Sequence, residues 1–198
     1  MFSIIYDYLS KNAVLLLCLA MLGWAGNTIA GRLSTGEISP MMVVSLRWLI
    51  ITLFLLLLLN KRIANSFIAI KGKILWLLLM GGLGMTCFNS LFYIAAQNTS
   101  AINLGIIQGV MPAIILLGSV LFFKEKVNIV KLFGLLISFF GVVIVVSKGD
   151  FQIIISLTVN LGDVVMFLAL FFYAGFTLGL RFKPEIDPLV LMAYFSFS

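Results

Sequence analysis

Polar side chains recur at helical spacing inside long apolar stretches of this 198-residue chain. Residues spaced i, i+3, i+4 and i+7 share one face of an α-helix. Three stretches show such a face: Trp24, Asn27, Thr28 and Gly31; Thr86, Asn89, Ser90 and Tyr93; Gly105, Gln108, Gly109, Pro112 and Ser119. In a fourth stretch, Tyr173 and Thr177 share a face. Amides and hydroxyls can hydrogen-bond a polar ligand, and Trp24 and Tyr93 can supply apolar or cation–π contact.

The polar stripes predict a central cavity that binds a small polar molecule. Its candidate lining residues are Trp24, Asn27, Thr28, Thr86, Asn89, Tyr93, Gln108, Pro112 and Tyr173. The alternative is helix–helix packing, which small residues and amides also serve, and Gly105-x-x-x-Gly109 and Gly175-x-x-x-Gly179 fit that alternative well. Pro112 removes one backbone hydrogen bond, which predicts either a packing kink or a hinge that exposes a carbonyl to the cavity.

Two charged residues lie close to the interior of apolar stretches. Arg47 follows Pro40 by seven residues, or about 10 Å along a helix, so either its side chain reaches the nearer membrane surface or it gates or binds a ligand. Asp163 lies at the start of a later stretch, where it can complement the helix dipole or take part in proton coupling. Both are candidates for gating or coupling.

Several chemistries have no support in the sequence. There is no histidine, no phosphate-binding loop of the Gly-x-x-x-x-Gly-Lys-Ser/Thr type and no Gly-x-Ser-x-Gly elbow. We therefore predict no enzyme activity, no cofactor and no metal site. Cys18 and Cys87 lie inside apolar runs and are expected to be packed side chains rather than a disulfide.

The composition explains why these polar residues stand out. Hydrophobic residues make up 63% of the chain and charged residues 10%, and the mean hydropathy is +1.22. Soluble domains carry about 25% charged residues, so a soluble enzyme or a nucleic-acid-binding protein is excluded. Six apolar runs are long enough for helices that cross a lipid bilayer, and the predicted fold is an all-α polytopic membrane protein. The runs are Ala13 to Gly31, Met41 to Leu59, Ile74 to Ala96, Ala101 to Phe123, Val130 to Ser147 and Leu161 to Leu180, and a seventh starts at Pro188.

Basic residues alternate between the two sides of these spans. One side has Arg32 and Lys148, while the other collects Lys11, Lys61, Arg62, Lys71, Lys73, Lys124, Lys126, Lys131, Arg181 and Lys183. Positively charged loops stay in the cytoplasm. The asymmetry predicts a cytoplasmic N-terminus, and it gives the net charge of +6 a use other than nucleic-acid binding.

An internal repeat relates the two ends of the chain. A displacement of 148 residues superposes Glu37-Ile38-Ser39-Pro40 on Glu185-Ile186-Asp187-Pro188, and Gly31 on Gly179. Because five spans separate the copies, the second copy enters the membrane upside down, as in inverted-repeat transporters. We predict a first five-helix repeat over 1–148 and the start of a second over 149–198. The complete form would have about ten helices, so the chain is expected to be truncated at its C-terminal end.

The chain also resembles the EamA-type transporters of the drug/metabolite transporter superfamily. The resemblance rests on the order and spacing of short motifs along nearly the whole chain. These motifs are Gly23-Trp24-Ala25-Gly26-Asn27, Glu37-Ile38-Ser39-Pro40, Leu46-Arg47-Trp48, Phe88 through Tyr93, Ala96, Thr99-Ser100-Ala101, Pro112, Lys124-Glu125-Lys126, Gly134 and Gly141-Val142. The resemblance implies a ten-helix inner-membrane carrier of small metabolites such as amino acids or toxic compounds.

The expected function is therefore secondary transport, as an exporter or exchanger, by alternating access between two inverted repeats. Two alternatives follow from the expected truncation. One is a membrane protein that does not transport, and the other is a half-transporter that needs a second copy, as a homodimer, to complete the cavity. Antiparallel pairing would require a chain without orientation preference, which the asymmetry of basic residues disfavours.

Overall fold

The computed structural model describes residues 12–34 and 36–197. Over those ranges the chain forms helices and no strands, which confirms the all-α prediction, and six helical spans are long and apolar enough to cross a membrane. The helices are α1 (Ala13–Leu33), α2 (Pro40–Lys71), α3 (Ile74–Gly81), α4 (Phe88–Asn98), α5 (Ala101–Gly109), α6 (Met111–Phe123), α7 (Ile129–Val146), α8 (Phe151–Ile155), α9 (Leu161–Gly179) and α10 (Pro188–Phe197). A π-helical segment, Gly82–Cys87, joins α3 to α4 in the third span, and α5 and α6 form the fourth.

The second span is longer than predicted. The apolar run ends at Leu59, but α2 continues for 32 residues to Lys71. Asn60, Lys61 and Arg62 are polar, yet none of them breaks a helix, and the first glycine after the apolar run is Gly72. At about 1.5 Å per residue α2 is about 48 Å long, so the basic residues expected in a loop lie mostly on a helix that extends past the hydrocarbon layer.

The fourth span is interrupted where proline predicts it. α5 ends at Gly109, Val110 forms a turn, and α6 begins at Met111 with Pro112 in its first turn. Proline has no N–H to continue the hydrogen-bond ladder of α5. Both helices pack against α9, and α5 also packs against α7.

Small residues let the central helices approach closely. Ala95 of α4 and Ala169 of α9 are completely buried. A Cβ atom on Gly162 would lie 2.7 Å from the carbonyl carbon of Asn98, so only glycine fits at this contact. By contrast, α7 has no buried residue, and Cys18 on α1, which we expected to be packed, is exposed. The apolar outer faces of α1 and α7 are suited to contact with lipid.

The segments that carry the predicted cytoplasmic charges meet at one end of the bundle. Arg181 forms an ion pair with Glu125 at 2.5 Å, and Lys73 Nζ donates a hydrogen bond to the Phe182 carbonyl at 2.9 Å. Arg62 and Asp187 lie 3.6 Å apart in a weaker pair. Of the other predicted charges, Lys11 lies outside the described residues.

The sequence displacement of 148 residues also relates helix starts. α1 begins at Ala13 and α9 at Leu161, and α2 begins at Pro40 and α10 at Pro188. The residues that cap these helices correspond as well. Asn12 accepts a hydrogen bond from the Leu15 amide and Asn160 from the Asp163 amide, both at 3.1 Å, while Ser39 and Asp187 cap α2 and α10. Positions 148 residues apart therefore begin helices, and side-chain caps at those positions satisfy free amides.

Candidate functional site

Arg47 of α2 is hydrogen-bonded to polar side chains of α1 and α4. Its Nη1 donates to Asn27 Oδ1 at 2.7 Å and to the Tyr93 hydroxyl at 3.2 Å, and its Nη2 donates to Asn89 Oδ1 at 2.5 Å. The Tyr93 hydroxyl in turn donates to Asn27 Oδ1 at 2.6 Å. Three spans thus meet at one guanidinium, which the sequence had indicated only as a weak candidate for gating or coupling.

The π-helical segment fixes the orientation of Asn89. Its Nδ2 donates to the Gly84 carbonyl at 3.1 Å and to the Met85 carbonyl at 2.8 Å. Since the amide nitrogen is directed at the backbone, the amide oxygen must face Arg47. The Met85 carbonyl also accepts from Trp48 Nε1 at 3.2 Å. A π-helical turn shifts the backbone hydrogen bonds by one residue. In this segment the Gly84 and Met85 carbonyls accept hydrogen bonds from side chains of the site.

The charge of Arg47 has no acidic partner among the described residues. The two ion pairs found there, Arg62 with Asp187 and Arg181 with Glu125, lie at the basic end of the bundle. Arg47 Nε is buried without a hydrogen-bond partner. The guanidinium lies 5.0 Å from the Trp48 ring centre and 5.7 Å from that of Tyr93. Ring faces and neutral dipoles stabilise the cation but leave its charge in place.

A cavity of about 500 Å³ opens beside this guanidinium. Its polar groups are Arg47, Asn27 and Asn89, and most of its wall is aromatic or aliphatic. The lining residues are Ala20, Met21, Trp24, Asn27, Arg47, Trp48, Ile51, Gly84, Met85, Phe88, Asn89, Tyr173, Phe176 and Met192. The Tyr173 ring packs against Trp24 at 5.5 Å and Phe88 at 4.8 Å between ring centres. A few polar groups in a mostly apolar wall are typical of small-molecule sites.

Most of the predicted cavity residues lie in or next to this cavity. Trp24, Asn27, Asn89 and Tyr173 line it directly. Tyr93, only 3% exposed, lies behind Arg47. The two other nearby candidates, Thr28 and Gln108, line a narrow adjoining space that Trp24, Asn27, Phe88 and Phe92 share.

Thr86 and Pro112 lie away from the cavity. Thr86 is exposed and lines a separate cavity of about 160 Å³ with Ser90. Successive residues of an α-helix are rotated by about 100°, so the stripe on the third span divides into a Thr86–Ser90 side and an Asn89–Tyr93 side. Pro112 is exposed on α6, where it interrupts the fourth span.

Asp163 belongs to a capping network at the end of the bundle opposite the basic segments. It is 8% exposed. Its Oδ1 accepts a hydrogen bond from Thr99, and its Oδ2 accepts from Asn103 Nδ2 at 2.8 Å and from the Asn160 amide at 3.0 Å. Asn160 caps the Asp163 amide in return, which completes a capping box. The carboxylate therefore joins the third, fourth and sixth spans and complements the start of α9.

The glycine pair of the fourth span serves packing. A Cβ atom on Gly105 would lie 3.1 Å from Val146 Cγ2, and one on Gly109 would lie 3.2 Å from Val142 Cγ1. Both contacts join α5 to α7. The packing interpretation of this motif therefore has direct geometric support.

Sequence reasoning missed the apolar part of the cavity wall. Trp48, Met85, Phe88, Phe176 and Met192 line it but carry no polar signal. Helical spacing from the polar residues would have found two of them: Met85 is four residues before Asn89, and Phe176 is three residues after Tyr173. No group of three or more His, Cys, Asp or Glu side chains that could hold a metal ion occurs among the described residues.

Comparison with known proteins identifies similar sequences. The sequence model of the EamA-like transporter family matches residues 11–147. The chain is 30% identical over 189 residues to an uncharacterized transporter of Archaeoglobus fulgidus, covering 94% of this chain and 63% of that protein. It is 27% identical over 118 residues to the uncharacterized transporter YyaM of Bacillus subtilis, covering 59% of this chain and 39% of that protein.

These relatives are longer than the chain, which spans 63% and 39% of their respective lengths. A third, the uncharacterized transporter YrdR of Bacillus subtilis, is 27% identical over 143 residues, covering 70% of this chain and 42% of that protein. No solved structure matches the chain.

Proposed function

The chain belongs to the EamA-like transporter family, and we propose that it moves small metabolites across a membrane through the cavity beside Arg47. The chain is a multi-pass membrane protein and a transporter rather than an enzyme. The proposal concerns what it moves, where it binds the substrate and how it changes access. The metabolites are compounds of the size of amino acids, since the cavity holds about 500 Å³.

One observation carries this proposal: a cation and two amides line a cavity surrounded by apolar spans. A charged side chain inside the hydrocarbon layer costs free energy and is retained where it lines a pathway or binds a ligand. Asn27 and Asn89 hold the guanidinium in one orientation. Such preorganisation favours ligand binding over simple packing, for which apolar side chains would suffice.

Alternating access has support in the arrangement of the cavity wall. We assign residues 1–148 to a first five-helix repeat and 149–198 to the start of a second, inverted one, because helix starts and caps recur at a displacement of 148 residues. Trp24, Arg47 and Asn89 come from the first unit, and Tyr173 and Met192 from the second. A rocking motion between the units would change which end of the cavity is open.

The charged end of the bundle supports a proposed orientation. We assign this end, with Lys73, Glu125 and Arg181, to the cytoplasm of a bacterial cell and the protein to the inner membrane. Arg47 then lies nearer the outer surface. We favour export or exchange that is not coupled to protons through Asp163, because the Asp163 carboxylate accepts capping hydrogen bonds.

A matched pair of variants tests the cavity. Met21 lines it, whereas the adjacent Leu22 is 69% exposed and does not. The experiment measures counterflow of a bacterial metabolite extract by mass spectrometry, in proteoliposomes that contain the full-length product. We expect Met21→Trp to narrow the cavity and to lower exchange strongly, while Leu22→Trp adds similar bulk outside the cavity and leaves exchange near wild type.

Two outcomes would contradict the proposal. Equal exchange by both variants would show that the substrate does not pass through this cavity. Absence of exchange of any compound by the wild-type protein would argue against transport itself.

A further inference from the structure

The positive charge of Arg47 is the least explained feature of the cavity. We propose that Arg47 binds the carboxylate of a monoanionic substrate and that the aromatic wall holds the apolar body of the same molecule. This inference rests on the proposed transport function, since it names the class of substrate that the cavity takes.

No acidic side chain among the described residues neutralises the Arg47 cation. The acidic residues there are Glu37, Glu125, Asp150, Asp163, Glu185 and Asp187, and none of them lines the cavity. Glu125 and Asp187 pair with other basic side chains, and Asp163 is bound in its capping network. An uncompensated cation in apolar surroundings attracts an anion more strongly than the same cation does in water.

The neighbours of Arg47 preserve its charge while directing it. Asn89 turns its amide oxygen to Nη2 because its nitrogen is used by the Gly84 and Met85 carbonyls. Tyr93 donates its hydroxyl hydrogen to Asn27, so its oxygen is free to accept from Nη1. Carboxylates at positions 27 or 89 would cancel the charge, whereas neutral amides hold it in place without cancelling it.

Arginine also has donors that the protein does not use. A guanidinium has five N–H groups, and three hydrogen bonds to Asn27, Asn89 and Tyr93 are formed. Nε is buried and has no partner. Nη2 keeps one N–H beyond its hydrogen bond to Asn89, and a carboxylate oxygen that arrives from the cavity can accept from it.

The rest of the wall selects the body of the substrate. Trp24, Phe88 and Tyr173 line the same cavity, and the Tyr173 ring packs against the other two. Among the described residues, no acidic side chain lines the cavity to bind an ammonium group. The site therefore suits a monocarboxylate with an apolar or aromatic body better than an amine of the same shape.

Tryptophan fluorescence can report binding directly. Trp24 and Trp48 line the cavity, and the third tryptophan, Trp76, does not. A Trp76→Phe background of the full-length product, in phosphatidylcholine nanodiscs, would be titrated with butyrate, hexanoate and 3-phenylpropionate. The controls are 3-phenylpropanamide and phenethylamine, which keep the aromatic body but lack the carboxylate.

We expect saturable fluorescence changes with at least one carboxylate, and binding about tenfold or more weaker for the amide and the amine. Arg47→Gln should abolish the carboxylate preference, and Arg47→Lys should retain part of it because charge remains while the fork is lost. Arg62→Gln is the matched control, since Arg62 lies outside the cavity and should bind as wild type. The wild-type comparison of acid with amide needs no variant, so it stands even if Arg47→Gln does not fold.

The possible results are separable. Equal binding of 3-phenylpropionate and its amide, or no binding of any carboxylate, overturns the inference, while counterflow in the Met21→Trp experiment still decides transport. Anionic phosphatidylglycerol in the nanodiscs should leave carboxylate binding unchanged. Competition by that lipid would assign the anion site to a headgroup phosphate and would overturn the inference as well.

Discussion

The guanidinium of Arg47 lies 2.5 Å from the amide oxygen of Asn89, and the amide nitrogen of Asn89 is bound to the backbone of the π-helical segment. A backbone irregularity in the third span thus determines the position of a charge carried by the second span. The contact joins α2 to α4 beside the cavity. Because Asn89 is neutral, the Arg47 cation still has no counter-ion among the described residues.

Asn89→Asp should suppress the binding of carboxylates to the cavity. The new carboxylate would neutralise Arg47 and compete for its donors, so the affinity for 3-phenylpropionate should fall about tenfold or more. The measurement is the tryptophan titration in the Trp76→Phe background. Asn98→Asp is the matched control because Asn98 is exposed at the end of the same helix. Unchanged affinity in Asn89→Asp would separate carboxylate recognition from Arg47.

Asp163→Asn should lower stability without changing ligand affinity. The carboxylate accepts hydrogen bonds on both oxygens, whereas an amide has one oxygen, so at least one donor among Thr99, Asn103 and Asn160 would lose its acceptor. The expected loss is about 1–3 kcal/mol, seen as a lower midpoint of thermal unfolding in detergent. Wild-type stability combined with altered pH dependence of exchange would instead indicate that Asp163 takes part in coupling.

Gly84→Ala should destabilise the contact between the third and sixth spans. A Cβ atom there would lie 2.5 Å from the Phe176 ring, and overpacking of this kind costs about 1–3 kcal/mol. Gly26→Ala is the control, since a Cβ atom at that helical position meets nothing within 4 Å. It should be neutral or slightly stabilising. Thermal unfolding of both variants measures the difference, and equal midpoints would contradict the close approach at Gly84.

Cysteine labelling tests the proposed orientation. With Cys18 and Cys87 replaced by serine, single cysteines at Asn98 and Lys126 are exposed at opposite ends of the bundle. In intact cells a membrane-impermeant maleimide should label Asn98→Cys, and it should label Lys126→Cys only after the membrane is opened. The reverse pattern would invert the topology, and labelling of both in intact cells would contradict the assigned spans.

Some features follow from the sequence because they depend on local chemistry. Long apolar runs predict the six spans, since a helix pairs its own backbone N–H and C=O groups and can therefore lie in lipid. The place of Asp163 in the first turn of α9 and the interruption at Pro112 also arise within a few residues. The extension of α2 to Lys71 was missed because hydropathy marks where the apolar run ends, whereas the backbone continues until a residue such as Gly72 ends the helix.

Sequence alone predicts the spans, the resemblance to a transporter family and the polar faces that supply Trp24, Asn27 and Asn89. The folded structure was needed to find that Arg47 is the centre of the site, that Thr86 and Pro112 lie elsewhere, and that Asp163 is used in capping. The physical reason is that these outcomes depend on how each helix is rotated against its neighbours. Side chains from α1, α2 and α4 meet across distances of 20 to 66 residues along the chain, and the local sequence carries no record of that rotation.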